Sequence, residues 1–191
     1  MITDIKRSVL FTLVTMVLFG GLYHALLLVI GSAVFPSQAE GSLIRRPDGT
    51  VVGSRLIAQP FARAEYFHPR PSGVDYNAAA TGGTNYGPSN PDHLDAVRAR
   101  VEAIRAAGET AAVPSETVTS SGAGLDPHIP PGGAEMQIAR VAAARGIAPD
   151  RVREIVRTHT LNPTFGIFGR PRVNVLELNM ALDAAFGARS K

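Results

Sequence analysis

The sequence contains no cysteine and, apart from one residue near each end, no lysine. The absence of cysteine from all 191 residues excludes disulfide bonds, thiolate catalysis and cysteine-ligated zinc. Because the only lysines are Lys6 and Lys191, the glycine-rich stretch Thr81–Asn85 lacks the lysine that a Walker A phosphate loop requires. Neither Ser120 nor Ser121 lies in a Gly-x-Ser-x-Gly motif, which argues against an α/β-type serine hydrolase.

Charged residues are also scarce, and they form no run of one sign. They make up 18% of the chain, with a formal net charge of +3 and a sequence pI of about 9.7. The arginines are scattered beside acidic residues, a pattern typical of a solvated mixed-charge surface rather than of a nucleic-acid-binding arm. We therefore expect no nucleic-acid partner.

Near the N-terminus, a long segment lacks charge altogether. Residues 8–39 contain no Asp, Glu, Lys or Arg, and about 20 apolar residues suffice to cross a bilayer. This predicts a transmembrane helix at 9–35 after a tail at 1–8. A cleaved signal peptide is the less favoured alternative, because its apolar region is typically only about 7–15 residues long.

The orientation of this span is predicted from the charges that flank it. Lys6 and Arg7 lie directly before it, and loops on the cytoplasmic side of a membrane are enriched in basic residues. We expect a cytoplasmic N-terminus in a cell membrane and an extracytoplasmic domain at 36–191, in contact with lipid. His24 falls near mid-span, where a neutral histidine that faces a neighbouring helix is favoured over an ion path.

The remaining sequence predicts a single small, mostly helical α+β domain. Turn residues Pro47-Asp48-Gly49 within 41–61 indicate a short β-hairpin, and 62–90 is a long loop rich in Gly, Pro and Asn. Helix caps and apolar spacing then predict four helices. The first begins at Pro91 and stops at Gly108, with Leu94, Val97, Val101 and Ile104 on one face. The second runs from near Gly133 to Arg145, and the third begins at Pro149, with Val152, Ile155, Val156 and His159 at helical spacing. The fourth begins at Asn174, where Glu177 completes a capping box, and its buried stripe is Val175, Leu178, Leu182 and Ala185.

Chemically reactive side chains are concentrated in Ser120–Pro131, SSGAGLDPHIPP. Asp126-Pro127-His128 has the composition of a rigid turn, so a structural or docking loop is favoured over a catalytic one. The alternative is a membrane-anchored hydrolase that uses Ser121, Asp126 and His128. His68, His93, His128 and His159 have no metal-ligand spacing, so no metal site is expected.

Several blocks, in order along the chain, resemble the C subunit of the Kdp-type potassium-transporting ATPase, the small single-span chain of a bacterial potassium pump. The span of that family often carries a proline after its tyrosine, whereas this chain has His24. The matching blocks run from the membrane exit almost to the C-terminus. They are Phe35-Pro36, Gly41–Ile44, Gln59 and Phe61, YFHPRPSGVDYN (66–77), TGGTNYGPSNP (81–91), VTSSGAGLDPHIPP (118–131), QIARVAAARG (137–146) and RVNVLELNMALD (172–183).

The resemblance implies a non-catalytic accessory subunit of an ATP-driven potassium uptake complex. Its implied partners are a channel-like potassium-binding subunit, a P-type ATPase subunit and a very small fourth chain. It implies roles in assembly and as a catalytic chaperone that raises the ATP affinity of the ATPase subunit, with ATP as a candidate shared ligand. Nucleotide contacts are then expected at Gln137, Gly82, Gly83 and Asn85. Docking contacts are expected at Tyr66, Phe67, His68, Arg70, Asn85, Ser121, Gly122, Gly124, Asp126, His128, Asn174, Glu177 and Asn179.

Topology limits how such a chaperone acts. If residues 36–191 lie outside the cytoplasm, they do not reach the cytoplasmic nucleotide domain of a P-type pump. An effect on ATP affinity would then pass through the conformation of the complex rather than through direct contact.

Overall fold

The computed structural model describes residues 1–46 and 48–188, and the chain divides into two compact units. The N-terminal unit is Met1–Val52, and the C-terminal unit begins at Gly53. Pro47 of the predicted turn and residues 189–191 lie outside the described part. The mixture of helices and small sheets confirms the α+β class.

One long apolar helix dominates the N-terminal unit. It consists of α1 (Ile2–Thr15), a π-helical segment (Met16–Leu22) and α2 (Tyr23–Val34). Together these span 33 residues, an 18-residue stretch of which has a mean hydropathy of 2.2, and the large apolar side chains are exposed along the whole length. A helix that is apolar on every side requires apolar surroundings, so this one fits the predicted membrane span. It already begins at Ile2, within the residues predicted as a tail.

The π-helical segment contains the adjacent glycines Gly20 and Gly21. Such segments are rare, and their hydrogen bonds reach five residues back instead of four. His24 follows the same spacing, because its Nδ1 lies 2.6 Å from the carbonyl oxygen of Phe19. The bond satisfies one ring nitrogen within the helix itself, and contact of His24 with a neighbouring helix stays a prediction.

A short helix and a β-hairpin follow the span. The turn is closed by the Arg46 amide, which donates to the Thr50 carbonyl over 2.9 Å, and by the Thr50 amide, which donates to Asp48 Oδ1 over 2.9 Å. Gly49 supplies the positive φ, 84°, that the turn requires. The hairpin predicted from the turn residues is confirmed. The elements are α3 (Pro36–Ala39), β1 (Leu43–Arg45) and β2 (Val51–Ser54).

The C-terminal unit combines helices with a small antiparallel sheet. Within residues 53–188 its helices are α4 (Pro91–Ala106), α5 (Ser115–Val118), α6 (Pro131–Arg145), α7 (Pro149–Thr158) and α8 (Val175–Phe186). Its strands are β3 (His128–Ile129), β4 (Thr160–Leu161) and β5 (Arg172–Asn174), in the order β3-β5-β4. The four predicted helices are confirmed, whereas α5 and the sheet were not predicted.

The central strand β5 fixes the sheet register. Val173 lies opposite Ile129 on one side and opposite Thr160 on the other. Because Val173 and Ile129 are at most 1% exposed, the sheet covers one side of the core. A core side chain of this kind contributes roughly 1.5–3 kcal/mol when it is fully buried.

Helices α6, α7 and α8 supply most of that core. Their apolar faces meet around Ile138, Val141, Val152, Leu178 and Leu182, each at most 1% exposed. The predicted stripe of α8 is confirmed except at its last position, since Ala185 is exposed.

Helix α4 begins at the predicted residue and is only partly buried. Asn90 Oδ1 accepts a hydrogen bond from the Asp92 amide over 2.8 Å, which confirms the predicted cap. None of the residues of α4 is fully buried, and Leu94 remains 39% exposed. The apolar stripe of α4 is therefore a half-covered face, with Val97, Val101 and Ile104 partly buried and Leu94 exposed.

Half of the predicted capping box of α8 is present. Asn174 Oδ1 accepts from the Glu177 amide over 3.1 Å. The Glu177 carboxylate, however, pairs with Arg55 at 3.1 Å instead of returning to the cap. Glu177 therefore ties α8 to the segment after β2.

Candidate docking site

The aromatic segment Tyr66–His68 is fixed by side-chain amides from two helices. Asn179 of α8 accepts from the Phe67 amide over 2.8 Å and donates to the Phe67 carbonyl over 2.9 Å. Gln137 of α6 does the same for His68, over 2.8 and 3.1 Å. Each amide satisfies a donor and an acceptor as a neighbouring strand would. Consequently, these side-chain hydrogen bonds fix the backbone conformation of the segment, although it belongs to no sheet.

A buried ion pair holds Tyr66 beside this segment. Arg145 Nη2 lies 2.7 Å from Asp183 Oδ1, and the side chain of Arg145 is 2% exposed. Tyr66 donates its hydroxyl to the other oxygen of Asp183 over 2.9 Å, with its ring centroid 5.2 Å from the Arg145 guanidinium carbon. Arg145 Nε donates to the Glu65 carbonyl over 2.8 Å. The charge of Arg145 is thus balanced by Asp183, and both side chains make further hydrogen bonds to Tyr66 or Glu65.

Three of the residues predicted to dock on a partner are at most 4% exposed, and Ser121 and Gly124 are buried as well. Phe67 is 0% exposed, Asn179 2% and Asn174 4%. Phe67 fills the core, Asn179 bonds the Phe67 backbone, and Asn174 caps α8 while donating to the Arg55 carbonyl over 2.7 Å. Their atoms are used in internal packing and bonding, so contact of these three residues with a partner stays a prediction that their burial does not favour. Tyr66, His68 and Glu177 stay partly accessible.

Two glycine-rich loops, 81–85 and 120–126, interlock, and we call them the paired loops. The Gly82 amide donates to the Ala123 carbonyl over 3.1 Å. A Cβ atom placed on Gly83 would lie 2.7 Å from the Gly122 carbonyl oxygen, so only glycine allows this approach. Asn85, in the left-handed region with a φ of 54°, lies exposed on the first loop. The predicted docking positions Asn85 and Gly122 therefore belong to one surface.

Asp126 anchors the second of the paired loops. It accepts from Arg70 Nη1 over 3.2 Å and from the His128 amide over 3.0 Å, and His128 Nδ1 lies 3.5 Å away. Burial alone would raise the pKa of Asp126, but the hydrogen bonds from His128 and the Arg70 charge hold that pKa below its usual range. Asp126 is therefore ionised at neutral pH and acts as a fixed acceptor.

This geometry does not favour the hydrolase alternative. The Oγ atom of Ser121 accepts from the Asp126 amide over 3.4 Å, and Ser121 is 7% exposed. Within the described residues no hydrogen bond joins Ser121 to His128, the contact that a general base must make with its nucleophile. In the same part of the chain, no group of three His, Asp or Glu side chains is placed to hold a metal ion.

Of the predicted nucleotide contacts, Gln137 lines one of two clefts in the described part of the chain, whereas Gly82, Gly83 and Asn85 line neither. Gln137 and Arg140 line a cleft of about 780 Å³ together with His68 and Tyr76. Thr81 of the first paired loop instead lines a cleft of about 500 Å³ beside Arg70. The structure does not bring Gln137 and the 81–85 loop into one site.

Gln137 also has little capacity left for a ligand. Its Oε1 accepts from the His68 amide and from Arg140 Nη2 over 2.7 Å, and its Nε2 donates to the carbonyls of His68 and Gly133. Burial and the Arg140 charge lower the pKa of His68, so this side of the larger cleft holds a neutral ring. Gln137 acts as an internal bracket.

Sequence reasoning missed the residues that organise this region. Arg140, Arg145 and Asp183 were not among the predicted site residues. Arg140 donates to the carbonyls of Ala64 and Tyr66 over 2.6 and 3.0 Å. Helical spacing offered a signal, because Gln137 and Arg140 are three residues apart and Asn179 and Asp183 are four apart. Such pairs share a helix face and can hold one segment together.

Comparison with known proteins gives one consistent result. Residues 5–184 match the family described as KdpC, the K⁺-transporting ATPase c chain. The chain is 49% identical to a potassium-transporting ATPase KdpC subunit of Geobacter metallireducens over 183 residues, 94% of this chain and 97% of that one. Identity to the subunit of the same name from Burkholderia cenocepacia is 52% over 185 residues, 94% and 95% of the two chains. For Methylococcus capsulatus it is 48% over 189 residues, 96% and 99%.

Proposed function

The chain belongs to the KdpC family of K⁺-transporting ATPase c chains, and we propose that it is a non-catalytic subunit needed to assemble an ATP-driven potassium uptake complex. The family match over residues 5–184 carries this proposal. The geometry supports it, because Ser121, Asp126 and His128 form a braced turn instead of a nucleophile and its base.

The proposed partners follow from the family. The apolar helix Ile2–Val34 packs among the helices of a channel-like potassium-binding subunit and a P-type ATPase subunit, with a very small fourth chain and lipid around it. The paired loops dock on the channel-like subunit near its external potassium entrance. Their rigidity supports this role, since a surface that is already ordered loses little conformational entropy on binding.

The proposed influence on ATP affinity is indirect. Gln137 is saturated by internal hydrogen bonds, and it lies on a different cleft from the 81–85 loop. An accessory subunit alters ATP affinity without touching ATP when it binds one conformation of the pump more tightly than another. We place the C-terminal unit outside the cytoplasm, as the basic residues Lys6 and Arg7 suggest.

Co-purification tests the assembly proposal. The affinity-tagged full chain, expressed with the other pump subunits and extracted in mild detergent, is expected to recover the two large membrane subunits. Asn85→Gly combined with Tyr86→Ala should lower this recovery several-fold. This pair removes two exposed side chains of the first paired loop and its flank, and glycine tolerates the positive φ of position 85.

The matched control removes an exposed ion pair elsewhere in the C-terminal unit. Asp95→Ala with Arg98→Ala deletes side chains on α4 that are 71% and 68% exposed, with no change in net charge. The control should recover partners as the wild type does. Failure of the wild-type chain to recover any large membrane protein would refute the proposed function.

Cysteine labelling tests the proposed orientation. Because the natural chain has no cysteine, a single Ala79→Cys at an exposed loop position provides the only thiol of this chain. We expect a membrane-impermeant maleimide to label it in intact cells as fully as in permeabilised cells. Labelling only after permeabilisation would place the C-terminal unit in the cytoplasm and reopen direct contact with ATP.

A further inference from the structure

The loop between β4 and β5 ends in a cluster of exposed apolar side chains. Phe165 is 89% exposed, Ile167 78% and Phe168 66%, the highest values for large apolar residues in the described part of the C-terminal unit. We call residues 165–168 the FGIF tip. Single exposed apolar residues are common on protein surfaces, but three together on one loop indicate a surface that binds something.

The backbone holds the FGIF tip in a defined shape. Thr164 and Phe168 exchange two backbone hydrogen bonds, over 2.9 and 3.0 Å, and the Gly166 amide donates to the Pro163 carbonyl over 2.9 Å. Phe165 has a φ of 54°, a conformation that is costly for a bulky side chain. A strained, closed turn keeps these side chains pointing into solvent instead of folding back onto the core.

The charged residues of the chain segment that carries the tip are of one sign. Residues 155–176 contain no Asp or Glu, and Arg170 and Arg172 directly follow the tip. Within the described residues neither arginine side chain takes part in an ion pair or a hydrogen bond, although most other arginine side chains of the C-terminal unit do. The loop thus combines an apolar end with two unpaired positive charges.

We propose that the FGIF tip inserts into the interface of the bilayer that anchors the chain, with Arg170 and Arg172 against anionic lipid headgroups. Apolar side chains beside unpaired basic residues are the composition that binds such interfaces. The helix Ile2–Val34 is long and apolar enough to cross a membrane, and such an anchor keeps the tip at a high effective concentration near lipid. This proposal rests on the span and not on contact with a pump.

Tryptophan fluorescence tests the proposal directly. The chain has no tryptophan, so Phe165→Trp places a single reporter at the tip while keeping an aromatic side chain. The full chain is reconstituted into vesicles of phosphatidylethanolamine and phosphatidylglycerol that contain brominated lipid. We expect blue-shifted emission and several-fold stronger bromine quenching than for Tyr86→Trp, a matched variant in another loop at a position that is 46% exposed.

Removal of the positive charge should weaken this insertion. In the Phe165→Trp background, Arg170→Gln and Arg172→Gln should each lower tip partitioning about fivefold, because a basic residue near an anionic surface contributes on the order of that factor. Replacing the anionic vesicles with vesicles of phosphatidylcholine should lower tip partitioning as much as combining Arg170→Gln with Arg172→Gln. Phe168→Trp serves as the reporter if Phe165→Trp does not fold.

Three outcomes would overturn the proposal. One is a tip tryptophan that is as red-shifted and unquenched as that of Tyr86→Trp. Another is quenching that is equal in anionic and zwitterionic vesicles, which would reject the role of the arginines. The third is a blue shift that arises only when the large pump subunits are present and without bromine quenching, which would assign the tip to a protein pocket.

Discussion

Asp183→Asn is expected to lower the free energy of unfolding by about 3–5 kcal/mol, the usual cost when one partner of a buried ion pair is removed. The substitution keeps the shape of the side chain but removes its charge. Arg145, whose side chain is 2% exposed, would then remain buried without a counterion. Tyr66 would compete with Arg145 for the single remaining oxygen. Denaturant unfolding of the purified full chain, followed by circular dichroism, measures the loss.

The control for Asp183→Asn is the same substitution in an exposed pair. Asp95 and Arg98 form an ion pair whose side chains are 71% and 68% exposed, and exposed pairs contribute little to stability. Asp95→Asn should leave the unfolding midpoint almost unchanged. If both substitutions shift the midpoint equally, the buried Arg145–Asp183 ion pair contributes no more to stability than an exposed pair. A double-mutant cycle with Arg145→Met would then show no coupling.

The parts of the fold that the sequence predicts are those set by local chemistry. Asn90-Pro91 and Asn174 identify helix starts because a cap bonds to amides only two or three residues away. The span follows from the absence of charge over 32 residues, and the hairpin follows from its turn residues. None of these inferences requires knowledge of distant contacts.

The small sheet and the brackets of the aromatic segment depend on contacts far apart in the chain. Strands β3 and β4 are two residues long, too short for alternation of apolar and polar residues to appear. Asn179 reaches Phe67 across 112 residues, and Gln137 reaches His68 across 69. A single sequence gives no sign that such residues meet.

Burial decides which of the predicted site residues remain candidates. An aromatic residue in a proline-rich loop has the same sequence signature whether it faces solvent or the core. Phe67 and Phe165 illustrate the difference, with 0% and 89% exposure respectively. The first was predicted to dock and is internal, whereas the second was overlooked and is the most exposed phenylalanine of the C-terminal unit.

Phe67→Ala is expected to lower the free energy of unfolding by about 3–5 kcal/mol, as for other buried phenylalanines. The ring lies in the core with helices α6, α7 and α8, and truncation leaves a cavity that the bracketed backbone cannot close. Phe67→Leu should recover part of the loss, since it refills some of the volume. Denaturant midpoints of the full chain in detergent compare the three proteins.

Phe165→Ala is the matched control, because it removes the same atoms from a side chain that is 89% exposed. In the same detergent, its unfolding midpoint should stay near that of the wild type. A docking role for Phe67 makes the opposite prediction: Phe67→Ala would unfold at the same denaturant concentration as Phe165→Ala and yet lose its partner subunits. That pair of results would move Phe67 from the core to the interface, whereas a large loss of stability explains any loss of partners through unfolding of the C-terminal unit.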